Sequence, residues 1–206
     1  INSILAEDNL EVESMTQDES QKTDEVIMIS TKSGENLRLK FFSKFAQNIP
    51  QKINNEVNIL KYLAINSSIP VGTVNSFSDS EDNALAREYI LTTVAEGTRL
   101  SEIWESLKSE EKKTYVKELI EVISDLNSIT FPKIGSFAQF DENSNDLEIG
   151  EDISTGTGPH EKFNDYLKDF METNIEKIKS NKKFGKLSAG LQQYLKANIG
   201  KVKVEE

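Results

Sequence analysis

The sequence predicts an α+β fold: an antiparallel sheet carrying one helix over residues 25–97, then a mainly helical segment over 98–206. Three observations predict it. Two short apolar-alternating runs, Val26-Ile27-Met28-Ile29 and Leu37-Arg38-Leu39-Lys40-Phe41, flank Ser33-Gly34-Glu35-Asn36, the pattern of a β-hairpin. Apolar residues at three- and four-residue spacing follow from Ile49 to Leu63, the pattern of a helix. Broad helical stripes then recur at 110–127, 160–180 and 187–199.

Taken in order, residues 1–24 are acidic and polar, with Glu7, Asp8, Glu11, Glu13, Asp18, Glu19 and Asp24, and read as a poorly ordered terminus. A first strand within Ile1–Leu5 is the alternative, with the loop Ala6–Thr23 then lying over a ligand; that loop holds no glycine. Pro50 is tolerated in the first turn of the helix that follows the hairpin. Ser68-Ile69-Pro70-Val71-Gly72 reads as an extended return strand, residues 76–86 as an acidic connection, and Glu88–Val94 as a central strand.

Within this frame one pair of charges stands out. Period-two geometry puts Leu37, Leu39 and Phe41 on one face of the strand and Arg38 and Lys40 on the other. Two basic residues on a solvated face would be the ordinary account. Glu56 changes it: its helical neighbours Ile53, Ile59 and Leu60 set it in or beside the buried stripe. A carboxylate there is costly without a cation, and Lys40 on the preceding strand is the nearest candidate.

The second half begins with a short helix, Leu100–Leu107, for which Ser101 is a plausible N-cap and in which Trp104 reads as a packing residue. A strong helix follows that Ser109 can cap, with Glu110 and Glu111 in its first turn and Tyr115, Val116, Leu119, Ile120, Ile123 and Leu126 as its apolar stripe. Ile134–Phe140 and Leu147–Ile149 form a second hairpin around an acidic turn, within 134–150. Its carboxylates lack the ordered spacing of a calcium loop, and no metal ligand is assigned. Gly158-Pro159 introduces a long helix with the lone His160 in its first turn, read as a surface residue, and Leu187–Ile199 forms a last helix.

Composition narrows the function. At 206 residues and a net charge of −11, the chain repels phosphate backbones, so no nucleic-acid partner is expected. It has no apolar run of membrane-spanning length and no signal-like start, which predicts no membrane partner and a cytoplasmic location. The absence of cysteine excludes thiolate catalysis, disulfides and cysteine-based zinc sites.

Ordered pieces along residues 25–198 support a family resemblance: Leu39-Lys40-Phe41, Asn55-Glu56-Val57, Ile69-Pro70-Val71, Tyr89-Ile90-Leu91 through Glu96-Gly97-Thr98, Ile103-Trp104, Phe131-Pro132 with Ile134-Gly135-Ser136, and Gly158-Pro159 before Tyr166-Leu167. The chain resembles the aminoglycoside phosphotransferase and choline-kinase-like group, in its fungal variants. The resemblance implies a protein kinase-like N-terminal lobe and the first helices of the C-terminal lobe, with ATP as cofactor and phosphoryl transfer to a small-molecule hydroxyl as the family chemistry. It makes Lys40 the phosphate lysine, Glu56 its helix partner, and the backbone of Thr93, Val94 and Ala95 the adenine hinge. Arg38, on the face of Lys40, competes for the lysine's role.

The departure from the family is equally specific. There is no His-Gly-Asp with a following Asn and no later metal-binding Asp; the sole histidine precedes Glu161-Lys162-Phe163. No catalytic residue is therefore assigned. The expectation is a small-molecule kinase truncated before its catalytic loop and lacking the second half of the large lobe, inactive alone. In such a chain magnesium has no ligands and uncovered helix faces invite self-association. A pseudokinase-like nucleotide-binding or interaction module is the alternative, and a helical interaction protein with Lys40 and Glu56 on its surface is the third reading.

Overall fold

The computed structural model describes residues 10–19, 23–42, 51–94 and 97–202. It is an α+β chain in two compact units, residues 1–130 with 140–147, and residues 131–139 with 148–206. The division expected at 97/98 falls inside the first unit instead.

The first unit is built on a five-stranded antiparallel sheet. Its strands are β1 (Val12–Gln17), β2 (Glu25–Thr31), β3 (Asn36–Phe41), β4 (Val74–Ser78) and β5 (Tyr89–Thr93), in the order β1-β2-β3-β5-β4. Helix α1 (Lys52–Asn66) joins β3 to β4. The β2–β3 hairpin closes as its alternation predicts, with Ile27 opposite Leu39 and Ile29 opposite Leu37. Thr31 holds the turn, where its Oγ1 accepts from the Glu35 N–H at 3.0 Å and Gly34 takes a positive φ of 89°.

The two sheet faces bury different clusters. Ile29, Leu37, Leu39, Phe41, Tyr89 and Leu91 fill one, edged by Leu10, Val12, Ile27 and Leu85. On the other, Phe42 and Ile90 pack with Ile53 and Val57 of α1. Alternation along β3 thus sends the leucines to one core and leaves Arg38 and Lys40 on the side where α1 lies.

Two expectations are corrected here. Residues 12–17, assigned to a poorly ordered terminus, form β1, whose side chains are almost all exposed; backbone pairing to β2, not burial, holds the strand. Ile1–Leu5, Ile49 and Pro50 lie outside the described residues. The return strand falls at Val74–Ser78 rather than at 68–72; the chain comes against β5 at Gly72, where an added Cβ would stand 2.6 Å from the Thr93 carbonyl oxygen.

Still in the first unit, α2 (Leu100–Ile103) runs into a 3-10 turn, Trp104–Ser106, and its N-cap is Arg99, not Ser101. Trp104 is half-buried, with the Lys112 ammonium 5.3 Å from its ring centre. Helix α3 (Ser109–Ser128) has Lys108, not Ser109, as its N-cap, with Glu111 Oε2 accepting the Lys108 N–H at 2.7 Å. Its stripe, Tyr115, Val116, Leu119, Ile120, Ile123 and Leu126, is 38–59% exposed. The 140–147 segment docks on α1 through Tyr62 against Phe140, Lys61 to Glu142 at 2.7 Å, and Asn66 with Asn145.

In the second unit, the predicted hairpin pairs β6 (Ser136–Asp141) with β7 (Asp146–Gly150), their tips belonging to the first unit. Gly135 is obligatory for its geometry: an added Cβ would sit 2.1 Å from the Gly150 carbonyl oxygen. Gly135→Ala is expected to cost about 3 kcal/mol, the upper end for overpacking against backbone, read as a lowered urea midpoint. Helices α4 (Phe163–Lys179) and α5 (Ser188–Asn198) close the unit around buried Ile175 and Leu195.

Between β7 and α4 a polar knot replaces what looked like plain loop. Burial pushes the Asp152 carboxyl upward, but donation from the Ser154 hydroxyl and from the Ser154 and Thr155 N–H groups outweighs it and holds the carboxyl below its ordinary value of 3.8. A depressed carboxylate stabilises the fold above its unfolded pKa and loses that contribution as pH falls through the folded one. Acid unfolding below about pH 4 should therefore be shallower in Asp152→Ala than in the parent.

His160 departs from its expected surface position. It is 9% exposed and exchanges backbone hydrogen bonds with Ile134, while Nε2 lies 3.4 Å from Thr157 Oγ1 and 3.7 Å from Asp169 Oδ2. The bridge to Ile134 fixes its backbone ahead of the helix, which starts only at Phe163, so Tyr166 and Asp169 close over the ring.

Candidate functional site

The site is assembled where β3, the start of β2 and α1 meet. Lys40 lies opposite Val26 on β2 and Ile90 on β5, so its stem crosses apolar ground before the ammonium emerges. Glu56 occupies the turn of α1 between buried Ile53 and Val57. Its carboxylate accepts from Lys40 Nζ with both oxygens, at 3.0 and 2.8 Å. The ion pair read from the sequence is present.

Asp24 completes the cluster. Its Oδ2 stands 3.5 Å from the same ammonium, and the Lys40 and Asp24 side chains are only 12% and 14% exposed, against 31% for Glu56. Beneath them the Phe42 ring takes the Lys40 ammonium at 4.5 Å and that of Lys52 at 4.7 Å. Sequence reading assigned Asp24 to the acidic terminus and missed it. The available signal was its position immediately ahead of β2, which antiparallel pairing carries to the Lys40 end of β3.

The expected hinge is arranged differently. The Thr93 N–H donates to the Thr73 carbonyl and the Val94 N–H to the Asn36 carbonyl, both at 2.9 Å, so those donors serve the sheet. Thr93 Oγ1 also accepts the Thr73 N–H at 2.9 Å. Ala95 lies outside the described residues. The N–H groups of Thr93 and Val94 are thus committed to sheet closure.

Among the described residues no group of three His, Asp or Glu side chains stands ready to hold a metal ion. No helix there is long and apolar enough to cross a membrane. A groove of about 710 Å3 in the second unit runs along α4 and α5, but its Glu176 already accepts from Lys179 and Gln192. The cluster around Lys40 remains the chemically distinctive place.

Over 114 residues the chain is 31% identical to the Clavispora lusitaniae protein named Altered inheritance of mitochondria protein 9, mitochondrial, a match covering 52% of this chain and 19% of that protein. A 27% match over 111 residues links it to a Subtelomeric hrmA-associated cluster protein of Aspergillus fumigatus, found in two strains, covering 54% of this chain and 22% of the relative. These relatives are fungal. The matched part spans only about a fifth of the length of each. No family model matches the chain, and no solved structure does.

Proposed function

We propose that the sheet unit binds a nucleoside triphosphate, ATP in the first instance, as the small lobe of a phosphotransferase of the aminoglycoside phosphotransferase-like group. The observation that carries this reading is the bidentate clasp of Lys40 by Glu56 of the helix that follows its strand. That device holds a lysine toward nucleotide phosphates in kinases. The order β1-β2-β3-β5-β4, with helix α1 between β3 and β4, supports a kinase-like lobe.

Binding, not transfer, is what these residues are equipped for. The sequence has no His-Gly-Asp, and its one histidine is buried in the Ile134 bridge. No step is assigned to a magnesium ion. A second reading, a nucleotide-binding or interaction module without catalysis, is favoured by Asp24, whose carboxylate stands on the ammonium that a phosphate must reach. The cytoplasm is the location composition favours. The mitochondrial name of one relative makes that organelle the alternative, decided by cell fractionation.

Calorimetric titration with ATP tests the reading. Saturable binding with a Kd below about 1 mM is expected, weakened at least about ten-fold by Lys40→Met. Absence of any binding at about 5 mM ATP would sink it.

A further inference from the structure

We propose that Arg38 is a phosphate-binding residue, placed on the same face of β3 as Lys40 and receiving an anionic oxygen of the bound nucleotide. The inference rests on the nucleotide reading and assigns that site a second cation.

The chain has three arginines and 35 acidic residues. Arg87 carries Glu25 at 2.6 Å, and Arg99 carries Asp18. Arg38 is half-buried, yet among the described residues it makes no ion pair or side-chain hydrogen bond. Taking a guanidinium partly out of water without an acceptor is unfavourable, and in so acidic a protein a carboxylate could readily have been supplied. A bound anion offsets that cost.

Local charge points the same way. Among the described residues Lys40 faces two carboxylates, Asp24 and Glu56, and shares the Phe42 ring with Lys52. An incoming polyphosphate therefore needs a cation beyond Lys40. Two residues along the strand, about 6.6 Å away, Arg38 sits between Met28 of β2 and Thr92 of β5 with its charge uncompensated. Its planar fork of N–H donors suits two phosphate oxygens at once, which an ammonium cannot match. Lys40, clasped by Glu56, keeps its place at the phosphates, while Arg38 supplies a second set of donors.

The test compares ATP with adenosine on the full chain by calorimetry, for the parent, Arg38→Leu and Arg38→Lys, with circular-dichroism melts alongside. Arg38→Leu is expected to weaken ATP at least ten-fold and leave adenosine unchanged, with the melt retained; Arg38→Lys recovers part of the loss. ATP binding by folded Arg38→Leu equal to the parent's overturns the assignment while leaving the nucleotide reading intact. Should Arg38→Leu fail to fold, Arg38→Lys decides: ATP affinity equal to the parent's overturns the bidentate role, and a selective loss for ATP supports it. A parent that binds neither ligand overturns the nucleotide reading, and the Arg38 role with it.

Discussion

Leu39→Ala is expected to lower the unfolding free energy by about 3–4 kcal/mol, the middle of the range for emptying a buried leucine site. Leu39 is 2% exposed and packs in the cluster with Ile29, Leu37, Phe41, Tyr89 and Leu91. It is paired on both sides, to Ile27 of β2 and Leu91 of β5, so its neighbours are pinned by sheet hydrogen bonds and cannot collapse into the void. Urea unfolding followed by circular dichroism reads the loss as a lower midpoint with little change in slope. A change under about 1 kcal/mol would mean that Leu39 faces solvent and that the register of β3 is wrong.

A double-mutant cycle on Lys40 and Glu56 is expected to give a coupling of about 1–3 kcal/mol, above the ~0.2–1 kcal/mol of exposed pairs. The clasp has both carboxylate oxygens on an ammonium that is 12% exposed. Glu56 is 31% exposed, and water reaching it keeps the coupling below that of a fully buried pair. Lys40→Met should cost more than Glu56→Gln, because it takes the ammonium from both Asp24 and Glu56 while the reverse change leaves Lys40 with Asp24. Equal single-mutant losses would argue that Asp24 contributes nothing to the cluster. A coupling near zero would reduce the pair to surface decoration.

Much of this arrangement was legible before any coordinates. Strands β2 and β3 follow from strict alternation, which one buried face enforces. Helix α1 follows from its spacing, and the Lys40–Glu56 contact from a carboxylate whose helical position made solitude costly. What escaped lacks such a signature. β1 exposes nearly every side chain, so no hydrophobic period marks it. Asp24 looked like one more acid in an acidic stretch. His160 looked like the opening of a helix, and only its exchange of hydrogen bonds with Ile134, 26 residues earlier, buries it.

Local periodicity and the cost of burying charge, both properties of short segments, determined from sequence that this chain pairs β2 with β3, packs a helix behind them and brings Lys40 to Glu56. Tertiary structure alone decided that Asp24 joins that pair, that Thr93 and Val94 spend their N–H groups inside the sheet, and that the apolar stripe of α3 lies open. The reason is physical: those outcomes depend on which distant backbone reaches a donor first, and the residues concerned carry no periodic pattern that could announce it.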